Sequence, residues 1–319
     1  MNQDIILEIQ DVKKHFYVGR NKTVKAVDGV SLKIKKGETL GLVGESGCGK
    51  STLGRTIIKI YEPTGGKIFF EGEDISGPGK YGNRRLVNKM QMIFQDPFAS
   101  LNPRMTVGDI IAEGWDIQRR YKGMKRKERI VGFLELVGLN EEHANRFPHE
   151  FSGGQRQRIG IARALTMEPS FIICDEPISA LDVSIQAQVV NLLMDLQKKM
   201  ELTYMFISHD LSMVRHISDN IAVMYLGSIM EYAGNIEIYS NPLHPYTKAL
   251  FSAIPIPNPK IERERQRIML EGDVPSPITT STGCKFSSRC FLAKEICKLE
   301  SPKLTECQPG HYVACHFVG

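Results

Sequence analysis

A glycine-rich stretch near residue 45 constrains the fold of this chain more than any other feature. Gly44–Ser51 reads GESGCGKS and fits the pattern G-x-x-x-x-G-K-[ST]. The apolar segment Thr39–Val43 leads into it, and a helical pattern that begins near Lys50 leads out. In that setting backbone N–H groups and the helix N-terminus can face a bound phosphate, and glycines permit the close approach that side chains would block. The stretch therefore predicts a nucleotide-phosphate site between a strand and a helix.

Two segments supply side chains for chemistry on such a nucleotide. Lys50 is expected to reach the β- and γ-phosphates, and the Ser51 hydroxyl to join a Mg²⁺ shell. Downstream, FIICDE (171–176) places Asp175 and Glu176 at the C-terminal end of a buried strand, where open α/β sheets bind ligands. Asp175 suits the Mg²⁺ shell, and Glu176 suits a general base that polarises the attacking water. The combination predicts nucleotide hydrolysis.

The order of apolar patterns indicates the fold class. Segments of β type dominate from residue 5 to about 43, helical patterns occupy most of 97–168, and strands return at 171–176 and 203–210 with a helix between them. This alternation predicts an α/β fold with a mostly parallel sheet covered on both faces. The alternation of strand and helix patterns ends near residue 235, and seven of the sixteen prolines lie in 241–279. That segment is predicted to be an irregular linker.

Composition narrows the class of protein. The chain is 42% hydrophobic and 24% charged, which is ordinary for a soluble globular protein, and a net charge of +5 does not by itself indicate nucleic acid or lipid as a partner. No apolar run approaches the roughly 18–20 residues that cross a bilayer, and the N-terminus lacks the pattern of a signal peptide. We therefore expect a cytosolic protein whose membrane role, if it has one, comes through a partner.

Further motifs resemble those of ATP-binding cassette (ABC) proteins. FSGGQRQR (151–158) is similar to the signature motif of that family, with Phe151 where the family has leucine. The remaining motifs follow in the family's order. They are a Q-loop glutamine (Gln95 in MIFQDP), a D-loop (SALD, ending at Asp182), a switch histidine (His209 in ISHD) and an aromatic residue for adenine (Phe16, with Tyr17 as the alternative).

This resemblance implies a domain organisation and an ATP site. It implies a nucleotide-binding domain over residues 1–238, with a RecA-like parallel sheet core, an antiparallel β subdomain and a helical signature subdomain at about 97–168, followed by a small proline- and cysteine-rich extension over 239–319. The implied ATP-binding residues are Phe16, Gly44, Glu45, Ser46, Gly47, Cys48, Gly49, Lys50, Ser51, Thr52 and Gln95. The implied Mg²⁺ ligands are Ser51, Gln95 and Asp175. The implied catalytic residues are Lys50, Glu176 and His209.

The resemblance also implies that the site is shared. Cassettes of this family pair head to tail, and each ATP lies between one phosphate loop and the signature of the other subunit. Ser152, Gly153, Gly154 and Gln155 are therefore expected to complete the site of a partner, where the N-terminus of their helix can address a γ-phosphate.

Two longer segments narrow the resemblance. QDPFASLNPRMTV (95–107) and HPYTKAL (244–250) are similar to the ATP-binding subunits of oligopeptide and dipeptide importers. That implies an ATPase at the cytoplasmic face of the cell membrane, with a second, non-identical cassette subunit, two transmembrane permease subunits, an extracytoplasmic peptide-binding protein and no nucleic acid. Importers of nickel or other solutes, and soluble ABC ATPases of nucleic-acid repair or translation, are the alternative classes.

Five of the seven cysteines lie between residues 284 and 315, which suggests a thiol site in the extension. Cys284, Cys290, Cys297 and Cys315 have the spacing C-x5-C-x6-C-x17-C. The spacing leaves a [4Fe–4S] cluster, Zn²⁺ and free thiols open, because it lacks the C-x2-C pairs of many zinc sites and offers the four thiolates that a cluster needs. A reducing compartment disfavours disulfides. The resemblance to the importer family, whose tail is associated with such a cluster, implies a [4Fe–4S] cluster at these four residues.

The other thiols and two nearby histidines are not expected to be ligands. Cys307 is an extra cysteine relative to the family pattern, Cys48 lies inside the phosphate loop, and Cys174 ends a buried strand. His311 and His316 are expected to be core or surface histidines, although either can substitute as a ligand.

Overall fold

The computed structural model describes residues 4–19, 22–77, 84–255, 267–272, 275–276, 278 and 282–318. The chain divides into two compact units. The first contains residues 1–78 and 208–319, and the second contains residues 79–207.

The described strands and helices alternate as an α/β chain should. The strands are β1 (Ile5–Tyr17), β2 (Thr23–Lys35), β3 (Thr39–Val43), β4 (Gly65–Phe70), β5 (Glu73–Asp74), β6 (Met90–Ile93), β7 (Phe171–Asp175), β8 (Thr203–Ile207), β9 (Asn220–Tyr225), β10 (Ser228–Gly234), β11 (Thr305–Gln308) and β12 (His311–Val313). The helices are α1 (Lys50–Ile57), α2 (Arg84–Lys89), α3 (Pro97–Ser100), α4 (Val107–Gln118), α5 (Gly123–Leu136), α6 (Gly153–Leu165), α7 (Val183–Met200), α8 (Leu211–Ile217), α9 (Asn235–Ser240), α10 (Pro245–Ser252) and α11 (Glu295–Leu299). Single 3₁₀ turns occur at Glu141–Asn145, Pro148–Glu150 and Ser287–Arg289.

The first unit contains two sets of paired strands. An antiparallel sheet has the order β2-β1-β4-β5, and alternate residues of β2 face its core. In the second set β3 pairs in parallel with β9, after which β10, β12 and β11 follow in antiparallel pairs. Every residue of β3 is buried, as expected for a parallel strand covered on both faces. Strand β3 ends directly at the phosphate loop, so a rigid, buried element fixes where that loop begins.

The second unit combines three parallel strands, in the order β8-β7-β6, with helices α2 to α7. Strands β7 and β8 are buried along their whole length, so β7 delivers Asp175 from the core. The helical part is built around the fully buried Trp115 of α4, whose indole N–H donates to the Thr166 carbonyl oxygen at 2.7 Å. Within the described ranges, none of the helices is both long and apolar enough to span a bilayer.

The predicted strands and helices are confirmed in type, but the strand predicted over 203–210 ends at Ile207. The prediction of an irregular linker over 241–279 is wrong at its start, since Pro245–Ser252 forms α10. Proline at the first helical position lacks only an N–H that has no helical partner there, and the His244 ring nitrogen Nδ1 caps the helix by accepting from the Tyr246 N–H at 3.0 Å. The rest of that prediction falls partly on residues 256–266, 273–274, 277 and 279, which lie outside the described residues.

A buried acidic group on β10 fastens the C-terminal extension to that strand. The Glu231 carboxylate on β10 is fully buried and lies 2.7 Å from the His311 Nε2 on β12. It also accepts hydrogen bonds from the backbone N–H groups of Leu243 and His244, at 2.7 and 2.9 Å. A buried carboxylate is costly unless such partners satisfy it. Glu231 therefore joins β10, β12 and the start of α10 into one structure.

Replacing His311 tests this connection. His311→Ala removes one partner from a fully buried carboxylate, so we expect the free energy of unfolding of the chain to fall by about 3 kcal/mol. Urea denaturation followed by circular dichroism measures the change. His216→Ala is the matched control, because His216 is an exposed residue of α8 in the same unit and its replacement should cost less than about 1 kcal/mol. Equal stability of His311→Ala and the wild type would contradict the account.

Candidate functional site

The phosphate loop adopts a backbone that only glycine tolerates at two positions. Gly44 and Gly49 have φ angles of 151° and 108°, in the region that L side chains rarely adopt. A Cβ atom at Gly44 would lie 2.1 Å from the Met224 carbonyl oxygen, and one at Gly49 would lie 2.0 Å from the Ala26 carbonyl oxygen. The loop therefore packs directly against the backbone of β9 and β2, which holds its N–H groups in a fixed arrangement.

Lys50 lies at the start of α1, with its side chain only 4% exposed. Its ammonium group donates to the carbonyl oxygens of Gly44 and Glu45, at 2.8 and 3.1 Å. The first helical hydrogen bond runs from Leu53 N to Gly49 O, so the N–H groups of residues 50–52 precede it at the positive end of the helix. A cation and several N–H groups thus meet in one loop, which is the arrangement that binds phosphate.

The expected adenine contact also lies in the first unit. Phe16 is half-buried near the end of β1, where its ring packs edge-on against Tyr61 with centroids 5.5 Å apart. The Lys14 ammonium lies 4.9 Å from the centroid of the same ring. Tyr17, the alternative, is 83% exposed. These neighbours give Phe16 a defined ring orientation, which favours it over Tyr17 as a stacking surface.

His209 is exposed and follows Ser208, which is hydrogen-bonded to β3, the strand that leads into the phosphate loop. The Ser208 N–H donates to the Leu42 carbonyl oxygen of β3 at 3.3 Å, and Asp210 caps the next helix, α8. The first unit therefore places Phe16, the phosphate loop and His209 on elements joined by backbone hydrogen bonds to β2, β3 and β9.

The second unit brings two of the other predicted residues into direct contact. The Gln95 amide nitrogen donates to the Glu176 carboxylate at 2.8 Å, across 81 residues of sequence. Glu176 follows the fully buried Asp175 and has a φ angle of 47°, which is uncommon for a residue other than glycine. The Ser179 hydroxyl donates to its carbonyl oxygen at 3.1 Å. Strained backbone of this kind is concentrated at functional sites, and here it sets the direction of the carboxylate.

The signature motif begins helix α6 with a reciprocal cap. The Ser152 hydroxyl accepts from the Gln155 N–H at 3.3 Å, and the Gln155 side-chain oxygen accepts from the Ser152 N–H at 3.0 Å. A Cβ atom at Gly154 would lie 2.5 Å from the Ile185 side chain, so glycine lets α6 approach α7 closely. Asp182 is the N-cap residue of α7. The signature and the D-loop are therefore packed together in the second unit.

The four cysteines predicted as ligands line one cavity in the extension, together with Phe286, His244 and His316. Burial is the main cause that raises the pKa of Cys284 to about 11, and the neighbouring thiols of Cys290, Cys297 and Cys315 contribute to that rise. Within the described part of the chain, no three Cys, His, Asp or Glu side chains are placed to share a single metal ion. The structure thus gathers the thiols without the compact arrangement of a mononuclear site.

The remaining cysteines and histidines lie elsewhere or have other partners. Cys174 is fully buried in β7, where burial raises its pKa, as expected of a core thiol. Cys48 is buried within the phosphate loop, and the Cys307 thiol contacts the Val318 carbonyl oxygen at 3.4 Å. His311 is a core residue paired with Glu231, as described above.

The sequence motifs missed two residues that contact the phosphate loop. The Tyr246 hydroxyl of α10 accepts from the Glu45 N–H at 2.9 Å, and Arg289 binds the Glu45 carboxylate at 2.8 and 3.1 Å. Tyr246 lies in the HPYTKAL segment, whose resemblance to importer subunits was its only signal. No local pattern relates either residue to the loop, because 201 and 244 residues separate them from Glu45.

Known protein families match both the part of the chain that contains the phosphate loop and the C-terminal extension. Residues 27–179 match the family model described as ABC transporter, and residues 230–297 match the one described as oligopeptide/dipeptide transporter, C-terminal region. The chain is 56% identical to the oligopeptide transport ATP-binding protein AppF of Bacillus subtilis (strain 168), over 99% of this chain and 98% of that protein. It is 58% identical to OppF of the same organism, over 97% and 96% of the two chains.

Solved structures give the same fold. The dimeric ATP-binding cassette MJ0796, in a post-hydrolysis state bound to ADP and Pi, aligns with a TM-score of 0.65 and 27% identity, over 72% of this chain and 99% of that chain. The predicted α/β cassette fold is confirmed.

Proposed function

Because this chain belongs to the ABC transporter family, among the ATP-binding subunits of oligopeptide and dipeptide transporters, we propose that it hydrolyses ATP to power the import of oligopeptides or dipeptides. The observation that carries the proposal is the strand-end Glu176 carboxylate of the second unit, which accepts from the Gln95 amide at 2.8 Å, in a chain whose first unit has a complete phosphate loop. The names of both curated relatives favour a peptide over nickel or another solute as the cargo, and neither favours a soluble ATPase of nucleic-acid repair or translation.

Lys50 and the loop N–H groups are proposed to bind the β- and γ-phosphates, with Phe16 stacking on adenine. The Ser51 hydroxyl, the Gln95 amide oxygen and the Asp175 carboxylate are the oxygen donors that Mg²⁺ prefers, and a fully buried carboxylate such as Asp175 suits a metal ligand. Bound Mg²⁺ neutralises charge on the phosphates. The Gln95 amide nitrogen already donates to Glu176, so its oxygen is the atom that suits the metal.

Glu176 is proposed as the general base for the hydrolytic water. Its carboxylate takes a proton from the water as the oxygen attacks the γ-phosphorus, and the Gln95 hydrogen bond orients it for that role. His209, an exposed residue that follows β8, is proposed to hold the γ-phosphate and to help orient the water. Lys50 stabilises the negative charge that develops on the phosphate oxygens.

Ser152–Gln155 are proposed to act on ATP held by a second cassette. The capped N-terminus of α6 presents backbone N–H groups and the positive end of the helix dipole, which suit a γ-phosphate. The side chain of Leu181, next to the D-loop residue Asp182, lies 3.4 Å from the position of a Cβ atom at Gly153, so the two motifs belong to one surface. The dimeric state of the similar cassette MJ0796 supports such a pairing.

We infer the wider assembly from the same relatives. The partners are proposed to be a second, non-identical cassette subunit, two transmembrane permease subunits and an extracytoplasmic peptide-binding protein, with this chain at the cytoplasmic face of the cell membrane. Residues 1–238 are proposed as the nucleotide-binding domain, with its helical subdomain at about 97–168, and residues 239–319 as the extension. The separate matches of residues 27–179 and 230–297 support this division.

A [4Fe–4S] cluster is proposed at Cys284, Cys290, Cys297 and Cys315. The four thiols line one cavity, and four thiolates are the ligand set that such a cluster takes, with Zn²⁺ as the alternative occupant. A cluster is larger and takes one thiolate at each iron. The thiols must lose protons to bind it, so binding is expected to weaken below neutral pH.

Replacing Glu176 tests the hydrolytic role. Glu176→Gln keeps the shape and the Gln95 contact but removes the base, so we expect ATP hydrolysis by the assembled transporter to slow by roughly 10²–10⁴-fold while ATP binding is retained. Phosphate release and nucleotide titration measure the two quantities. Glu168→Gln, at a surface residue of the same unit that pairs with Arg129, is the control and should hydrolyse ATP normally. Turnover of Glu176→Gln near the wild-type rate would remove Glu176 from this role.

Metal analysis tests the thiol site. Protein purified without oxygen should be brown, with broad visible absorbance and about four irons per chain. Cys297→Ser should lose the colour and the iron, whereas Cys307→Ser should keep both, because Cys307 lies outside the cavity. A colourless, iron-free wild type would exclude the cluster, and one zinc per chain in its place would establish the zinc alternative.

A further inference from the structure

The contact between the extension and the phosphate loop suggests a role for a residue outside every cassette motif. We propose that Arg289 is a positioning residue for ATP binding, which acts by neutralising the Glu45 carboxylate inside the loop. The inference rests on the proposed function, since it concerns how the same loop accepts an anionic nucleotide.

The pair is close and shielded from water. The Arg289 Nη1 lies 2.8 Å from one Glu45 carboxylate oxygen and 3.1 Å from the other. The two side chains are 8% and 25% exposed, so solvent and salt screen their attraction less than at an open surface. An arginine guanidinium keeps its positive charge throughout the physiological pH range. The guanidinium therefore stays charged and paired.

Every polar group of Glu45 is engaged. Its carboxylate binds Arg289, its N–H donates to the Tyr246 hydroxyl at 2.9 Å, and its carbonyl oxygen accepts from the Lys50 ammonium at 3.1 Å. The residue thus connects the extension to the lysine that is proposed to bind the phosphates.

A free carboxylate at this position would oppose the function of the loop. The loop binds phosphates that carry several negative charges, and a like charge nearby disfavours binding by an amount that reaches tenfold or more in a partly buried site. Pairing with Arg289 cancels that charge while leaving the loop N–H groups and Lys50 to face the nucleotide. An arginine 244 residues away in sequence is therefore part of the electrostatics of the loop.

The segment that carries Arg289 is itself firmly held. The Lys285 ammonium donates to the Asp28 carboxylate at 3.1 Å, the Ser228 hydroxyl at 2.7 Å and the Leu226 carbonyl oxygen at 2.9 Å. Phe286 is fully buried, and its ring centroid lies 5.3 Å from that of Tyr225. Arg289 follows in a 3₁₀ turn, so its guanidinium is delivered to Glu45 by an ordered structure.

The test compares dissociation constants for MgATP, measured by calorimetry at low salt on the full chain. Arg289→Met exposes the nucleotide to an uncompensated Glu45, so binding should weaken about tenfold. Glu45→Gln removes the carboxylate, so adding Arg289→Met to Glu45→Gln should weaken binding by less than about threefold further. Lys298→Met is the matched control, because it removes a tail cation whose exposed partner is Glu295, and it should bind normally.

A purely structural role gives a different pattern. If Arg289 only braced the fold, Glu45→Gln would break the same contact and weaken binding as much as Arg289→Met, which would overturn the proposal. So would wild-type affinity in Arg289→Met. The maximal rate of ATP hydrolysis in the assembled transporter should change less than about twofold, since Arg289 touches no reacting atom, while KM for ATP rises.

Two further results complete the test. Should Arg289→Met fail to fold, Arg289→Lys decides, because it keeps the charge: binding within about threefold of wild type supports the proposal, and a tenfold loss contradicts it. Failure of the wild-type chain to bind MgATP would overturn the proposed function and this inference together. Normal binding by a folded Arg289→Met overturns the inference alone.

Discussion

The backbone of the phosphate loop passes so close to its neighbours that Gly44 and Gly49 have no room for a side chain. Carbonyl oxygens of Met224 and Ala26 would lie 2.1 and 2.0 Å from a Cβ atom at these positions. The conformation of the loop is therefore held by its contacts with β9 and β2, and not by its own short sequence alone. Everything proposed for ATP depends on this contact, because backbone N–H groups bind phosphate well only when their directions are set in advance.

The C-terminal extension also contacts the phosphate loop, so it is packed against the rest of the first unit. Glu231 fastens its strand β12 through His311, Tyr246 accepts from the N–H of Glu45, and Arg289 binds the carboxylate of the same residue. The extension thus reaches both the strand framework and the loop of the first unit.

Features that depend on residues close together in the sequence could be predicted. Contacts between residues far apart in the sequence could not. The loop, the strand ending in Asp175–Glu176 and the capped signature helix follow from short motifs, because each depends on neighbours within a few residues. The prediction of an irregular linker failed at Pro245–Ser252, where proline begins a helix instead of breaking one. The Arg289 contact with Glu45 joins residues 244 apart, so no periodicity or spacing could indicate it.

The account depends above all on binding of the ATP phosphates by the phosphate loop, Gly44–Ser51, with Lys50 as its cation. Calorimetric titration of the purified chain with MgATP, compared with Lys50→Ala, tests it most directly. We expect one site per chain in the wild type and at least about tenfold weaker binding in Lys50→Ala, because a charge-assisted contact to the phosphates is lost. Lys199→Ala, at an exposed position near the end of α7, should bind as the wild type does. Equal affinity of Lys50→Ala and the wild type would contradict the account.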